Sequence, residues 1–271
     1  MAGVSQHPCF HNAARERGRI HLPVAPRCNI KCVFCTPTVD ACFHGCRPGV
    51  SHGILTPQQA AERVAWAAER DPNLLVVGVA GPGEPLFNEA TFETFALVKE
   101  RFPALTLCVS TNGLLLPQSV ARLAGLVDSV TVTVNALTVP TARLIYEHVD
   151  GRADDGALAA LLRAQWAGIS GAVEAGICVK VNTVFVKGRN GCEIEEIARR
   201  AALAGASIHN ILQLIPGCRV TGQEVPSQAE VARLRARCRV HIDEFEGCAR
   251  CRADAFVPGA GGCQTSPEGG R

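Results

Sequence analysis

Apolar residues in this chain fall into short dense runs separated by longer amphipathic stretches. The runs at 19–26, 74–80, 105–109, 130–134, 177–186 and 208–215 are rich in Val, Ile, Leu and Thr. Short runs with little polar alternation are the signature of strands buried on both faces of a parallel sheet. Between them the apolar spacing becomes helical. Thr56 and Pro57 open a helix that runs to about residue 70, with a hydroxyl at the cap and proline at the first position. Ala60, Val64, Ala67 and Ala68 form its inner stripe, and Asp71-Pro72 stops it. Further helices are predicted over 88–101, 117–125, 138–148, 156–175, 193–204 and 226–245. Strand–helix alternation of this kind builds a parallel sheet with right-handed crossovers. The predicted fold is therefore α/β, a partial (β/α)6 barrel whose open side is closed by the N- and C-terminal segments. Four parts follow: an N-terminal segment over 1–18, the barrel over 19–217, a helix and cysteine segment over 218–255, and a disordered tail over 256–271, where Gly, Pro, Ser and Gln become frequent.

Such barrels keep their sites at the C-terminal ends of the strands. There the sequence places Gly81-Pro82-Gly83-Glu84-Pro85, Ser110-Thr111-Asn112-Gly113, Asn135 and Ile215. The glycines allow a backbone to approach a ligand closely, and Glu84 can accept a hydrogen bond from an ammonium group. Lys180 and Asn182 share one side of their strand's pleat.

Composition narrows the class. The chain has 271 residues, enough for one large core, and a net charge of +2 with the charges scattered. A nucleic-acid surface would need a clustered basic stripe. No apolar run nears the roughly 20 residues of a membrane span, and residues 1–10 lack the charged and apolar regions of a signal peptide. A cytoplasmic protein is expected. Its 14 cysteines are then reduced, and metal ligation accounts for them better than disulfides do.

The densest group is Cys28-Asn29-Ile30-Lys31-Cys32-Val33-Phe34-Cys35, a C-x3-C-x2-C loop directly after the first strand run. Three thiolates can hold three irons of a 4Fe–4S cluster, leaving the fourth iron open to a substrate. A structural zinc loop would read C-x2-C with a second pair to complete a tetrahedron. The spacing, with Phe34 before the third cysteine, resembles the radical SAM superfamily. In that superfamily S-adenosylmethionine (SAM) chelates the open iron, and the glycine-rich strand end contacts its amino group. A second pair, Cys248 and Cys251, reads as a half-site for another cluster or for zinc. Cys42, His44 and Cys46 lie in the loop after Cys35. Cys9 near the terminus and Cys108 within a strand would by themselves pass for an inert surface thiol and a small core residue.

Longer stretches carry a more specific resemblance. His7-Pro8-Cys9-Phe10, Gly18-Arg19-Ile20-His21-Leu22-Pro23-Val24, Arg47-Pro48-Gly49-Val50, Leu107-Cys108-Val109-Ser110-Thr111-Asn112-Gly113, Val179-Lys180-Val181-Asn182-Thr183 and the cysteine run at 248–255 resemble the NifB family. The resemblance implies a radical SAM enzyme that fuses two 4Fe–4S clusters, with a SAM-derived carbide and an added sulfur, into the eight-iron precursor of the nitrogenase cofactor. It assigns Cys28, Cys32 and Cys35 to the SAM-cleaving cluster. Cys9, Cys42, Cys108, Cys248 and Cys251 go to two auxiliary clusters, with His7 as the histidine ligand and His11 and His44 as rivals. Phe34, Gly81, Gly83, Glu84, Ser110, Thr111, Asn112, Asn135, Asn182 and Ile215 become cofactor-binding residues. Implied partners are iron–sulfur donors, a ferredoxin- or flavodoxin-type electron donor and cofactor carrier proteins, with no nucleic acid or membrane. The chain departs from the family's pattern at His44-Gly45-Cys46, where the family has Asn-Glu-Ser, and the step from Cys35 to Cys42 is one residue longer. His44 and Cys46 are candidate replacement ligands there. The early end of the chain leads us to expect a short form with no fused carrier domain. Two other readings are a peptide-modifying radical SAM enzyme and an iron–sulfur scaffold without SAM chemistry.

Overall fold

A computed structural model of the chain describes residues 6–11, 16–42, 47–215 and 224–259. The strands are β1 (Gly18–His21), β2 (Ile30–Cys32), β3 (Thr38–Val39), β4 (Val50–Ser51), β5 (Leu74–Val79), β6 (Thr106–Thr111), β7 (Ser129–Thr133), β8 (Tyr146–Val149), β9 (Cys178–Phe185), β10 (Ile208–Gln213) and β11 (Phe256–Val257). The helices are α1 (Pro57–Arg70), α2 (Glu89–Arg101), α3 (Leu116–Leu123), α4 (Val139–Ile145), α5 (Asp155–Glu174), α6 (Ile194–Leu203) and α7 (Gln228–Cys238). The main sheet runs β10-β9-β7-β6-β5-β1-β11. Its first six strands are parallel and cross the sheet in reverse chain order. That is the expected six-unit partial barrel. Ile20, Val77, Leu107, Val130 and Val179 are buried toward the helices, in one core with Ala60, Val64, Phe95 and Ile197. α1 starts as expected, with a reciprocal capping box between Thr56 and Gln59 and Pro57 in the first turn.

The sheet's two edges explain how the open side is closed. Beyond β10, His209 N–H donates to Asp243 O (2.8 Å) and Phe245 N–H to His209 O (2.7 Å). Beyond β1, β11 pairs antiparallel, Ile20 opposite Phe256. The chain between these two attachments, with Cys248 and Cys251, crosses from one edge to the other.

Three elements differ from the sequence expectation. The final helix ends at Cys238 instead of 245, because residues 243–245 exchange hydrogen bonds with the β10 edge and Glu244 makes a buried hydrogen bond with His209 Nδ1. Phe256 and Val257, expected in a disordered tail, form a strand with partners on β1; residues 260–271 lie outside the described residues. The helix expected over 138–148 ends at Ile145, and the chain turns into β8, which pairs antiparallel with β2 of the cysteine loop. No described helix is long and apolar enough to cross a membrane.

Candidate active site

Strand register decides which side chains meet. His21, Gly78, Cys108 and Ser129 are aligned across β1, β5, β6 and β7. One step toward the strand ends, Ser110, Thr131 and Lys180 align across β6, β7 and β9, and beyond them Thr133, Asn182 and Asn210. From these layers His21, Cys108, Ser110, Thr131, Thr133, Lys180 and Asn182 line a cavity of about 360 Å³. Cys28, Cys32, Cys35 and Phe34 line it from one side, and His7, Cys9, Cys108, Cys248 and Cys251 from another. Gly83, Glu84, Ser110, Thr111, Asn112, Asn135, Asn182 and Ile215 also line it.

Gly81 and Cys42 are the assigned residues that do not line it among those described. Cys42 is exposed, its N–H donating to Asp40 Oδ1 (2.8 Å). His11 is exposed too. His44 and Cys46 lie outside the described residues, as does Gly45. The glycine at 83 serves an approach different from the one expected. A Cβ there would lie 2.3 Å from Arg27 O and 2.9 Å from Ala25 O, so the glycine admits the chain's own cluster loop. Gly83 N–H donates to Ala25 O and Glu84 N–H to Arg27 O, which fixes the glutamate loop to the cysteine loop.

Glu84 is buried (3% exposed). It accepts from Thr111 Oγ1 (2.5 Å), Asn112 N (2.7 Å) and Leu86 N (3.0 Å). Burial pushes its carboxyl up to about 7, although these three donors pull the other way. Asn112 in turn donates from Nδ2 to Asn29 Oδ1 (2.7 Å), inside the cysteine loop. Lys31–Glu147 and the β2–β8 pairing hold the loop's other side. Tyr146, on β8, lines the cavity beside Cys32.

Burial, together with the neighbouring carboxylate and thiols, pushes Cys28 up to about 11, and burial and its two partner thiols raise Cys32 well above the ordinary thiol range. Two thiols that resist ionising beside a third are a donor set suited to a cation, since a coordinated thiol is deprotonated by its metal. The residues therefore fit a thiolate-bound iron–sulfur cluster.

Two histidines reach the cavity, and their hydrogen bonds set them apart. Cys9 N–H donates to His7 Nδ1 (3.0 Å). His7 is 1% exposed, and burial lowers its pKa to about 3. The neutral ring therefore carries its proton on Nε2, which is buried without a partner. His21 is the reverse case. Its Nδ1 lies 3.0 Å from Arg252 O, an acceptor only, so Nδ1 bears the proton. Burial lowers its pKa to about 4, which leaves a lone pair on Nε2. Gly78 makes room for this ring: a Cβ there would strike Cys108 Sγ (2.8 Å) and His21 Cδ2 (3.1 Å). A ring donating through Nδ1 to a backbone carbonyl is the usual arrangement of a metal-binding histidine. Sequence reasoning missed His21. The pleat alternation that puts Arg19 and His21 on one face was the available signal.

The cysteine segment at 248–251 is fastened at its C-terminal side. Arg252, 1% exposed, donates from Nε to Asp254 Oδ1 (2.8 Å) and from Nη2 to Oδ2 (3.2 Å). Asp254 also accepts from His52 N (2.7 Å), and Ala253 N–H donates to Val50 O.

The radical SAM superfamily model matches residues 22–201. Among curated relatives, the FeMo cofactor biosynthesis protein NifB of Klebsiella pneumoniae is 41% identical over 266 residues, covering 93% of this chain and 57% of the relative. That of Methanocaldococcus infernus is 41% identical over 260 residues, covering 93% of this chain and 85% of the relative. The chain thus spans little more than half of the first protein and most of the second. Among solved structures, a radical SAM methyltransferase from Sphaerobacter thermophilus matches with a TM-score of 0.61 at 24% identity, over 85% of this chain and 66% of that one. Streptococcus suis SuiB matches with a TM-score of 0.61 at 14% identity, over 88% and 53%. These two likenesses speak to the fold alone.

Proposed function

Because this chain belongs to the radical SAM superfamily and, within it, to the NifB family, we propose that it builds the iron–sulfur–carbon precursor of the FeMo cofactor. Its substrates are two 4Fe–4S clusters and SAM. The observation that carries this reading is the single cavity lined at once by the Cys28–Cys32–Cys35 set, by Glu84 and by Cys9, Cys108, Cys248 and Cys251. A peptide-modifying enzyme or a passive scaffold would not need all three together.

When bound, the cluster on Cys28, Cys32 and Cys35 supplies the electron that breaks the sulfonium C–S bond of SAM. The chain's own part is placement. Glu84 holds the ammonium of SAM, with Thr111 and Asn112 fixing its carboxylate. Asn135, Asn182 and Ile215 border the rest of the molecule, and the strap at 246–255 shields the cavity from water. Cys9, Cys108, Cys248 and Cys251 hold the substrate clusters. His21 takes the histidine role first given to His7, because its Nε2 keeps a lone pair where that of His7 carries the proton. One SAM gives its methyl carbon to the substrate sulfide and leaves as S-adenosylhomocysteine. A second leaves as 5′-deoxyadenosine after taking hydrogen from that methyl. The two remaining hydrogens leave as protons, the clusters and the reductant supply the electrons that complete the carbide, and free sulfide supplies the one added sulfur of the eight-iron product. Iron–sulfur donors, a ferredoxin- or flavodoxin-type reductant and a cofactor carrier are the partners this chemistry requires.

The test is SAM labelled in its methyl carbon, supplied anaerobically with reductant to the iron-loaded chain. Label that stays in the acid-labile iron–sulfur fraction is expected. Label recovered in a peptide or a small organic product contradicts the reading. A second expectation concerns pH. Glu84 must be ionised to pair with an ammonium, and its pKa of about 7 lies inside the working range. SAM affinity therefore falls about tenfold per unit as pH drops below about 7. Glu84→Gln binds weakly at every pH and loses that slope. Equilibrium dialysis across the neutral and mildly acidic range measures both.

A further inference from the structure

We propose that Arg19 and Lys180 are a built-in counter-charge for the substrate clusters, two fixed cations that retain them and make them easier to reduce. The inference rests on the reading of Cys9, Cys108, Cys248 and Cys251 as cluster ligands. Arg19 comes from the inner face of β1 and Lys180 from that of β9, on either side of the sheet's centre. Lys180 is 3% exposed. Its Nζ donates to Cys9 O (2.7 Å) and lies 4.0 Å from the Phe245 ring centroid. An ammonium has three protons to give. Arg19 Nη2 reaches Cys251 Sγ (3.4 Å), and its Nε is buried without a partner.

Among the described residues no carboxylate forms an ion pair with either cation. The one carboxylate among the lining residues is Glu84, and its contacts are with Thr111, Asn112 and Leu86. A buried ammonium and a half-buried guanidinium without a counter-ion are unfavourable. A four-iron cluster on thiolates supplies the missing negative charge. The electrostatic neighbours of the two cations overlap: Cys9, Cys108 and Cys248 face both, and Cys251 faces Arg19. A positive charge at this position stabilises the bound cluster, and stabilises it more after it accepts an electron.

The experiment uses the full chain, loaded anaerobically with iron and sulfide, in four forms: unaltered, Lys180→Met, Lys180→Arg and Arg19→Gln. Iron per chain and the midpoint of the auxiliary-cluster EPR signal are read, with circular dichroism as the control on folding. Lys180→Met is expected to lose about four of about twelve irons or to keep them at a more negative midpoint. Lys180→Arg is expected to restore both. Arg19→Gln shifts the same readouts in the same direction, and decides the matter if Lys180→Met does not fold. Unchanged iron and midpoint in the neutral variants overturn the counter-charge. A Cys108→Ala/Cys248→Ala chain separates the two levels of the account: if it too keeps all its iron, the ligand assignment fails, and not only the role of the cations.

Discussion

Cys32→Ser is expected to bring 5′-deoxyadenosine formation down to the uncatalysed background and to remove about four of about twelve irons. The substitution changes one atom and keeps the shape of the side chain. The loop around it is held independently of the thiol. β2 pairs with β8, Asn29 accepts from Asn112, and Gly83 and Glu84 donate to Ala25 O and Arg27 O. The fold should therefore survive, and the loss should fall on the cluster. A hydroxyl stays protonated and is a poor iron ligand, whereas a thiol gives up its proton to the metal. Product formation at a rate near that of the unaltered chain would mean that another set of residues cleaves SAM.

Arg252→Ala is expected to destabilise the chain by about 3–5 kcal/mol, the usual cost of leaving one member of a buried ion pair alone. For a domain of this size that lowers the thermal midpoint by roughly 10 °C. Removing the guanidinium leaves Asp254 buried with only the His52 donors. It also loosens the strap between the two sheet edges, which keeps its backbone bonds to His21 and Val50 O but loses the side-chain bonds that tie it to Asp254. Iron at the auxiliary site should fall with stability. Burial works against the Asp254 carboxylate, but Arg252 and His52 hold its pKa below the ordinary range. Its contribution is present at neutral pH and is lost as pH falls. A loss of under about 1 kcal/mol in a denaturant titration would show the pair to be a surface-like contact that does not hold the strap.

Much of this was legible in the sequence, for reasons that can be stated element by element. The cysteine loop is a local motif whose spacing alone carries its chemistry. The inner faces of β6, β7 and β9 follow from the period of two, which already put Lys180 and Asn182 together. The barrel followed from six buried runs alternating with helical stretches. What could not be read depends on partners remote in the chain. β8 is a strand because the cysteine loop offers it an edge. Residues 243–245 leave the helical path because β10 does the same. The tautomer of His21 is set by the carbonyl of Arg252, and that of His7 by the amide of Cys9. Histidine type and position gave no basis for choosing between them; the hydrogen bonds do. Cys42, assigned by resemblance, is exposed and outside the cavity lining, so the loop that departs from the family's pattern is also where ligand assignment by resemblance has least support.

The most direct measurement is a single anaerobic experiment. The chain is reconstituted with iron and sulfide, reduced and given SAM. Iron, S-adenosylhomocysteine and 5′-deoxyadenosine are then quantified together. About twelve irons per chain and both nucleoside products are expected. About four irons with 5′-deoxyadenosine alone would contradict it, leaving a radical SAM enzyme without the substrate clusters assigned to Cys9, Cys108, Cys248 and Cys251.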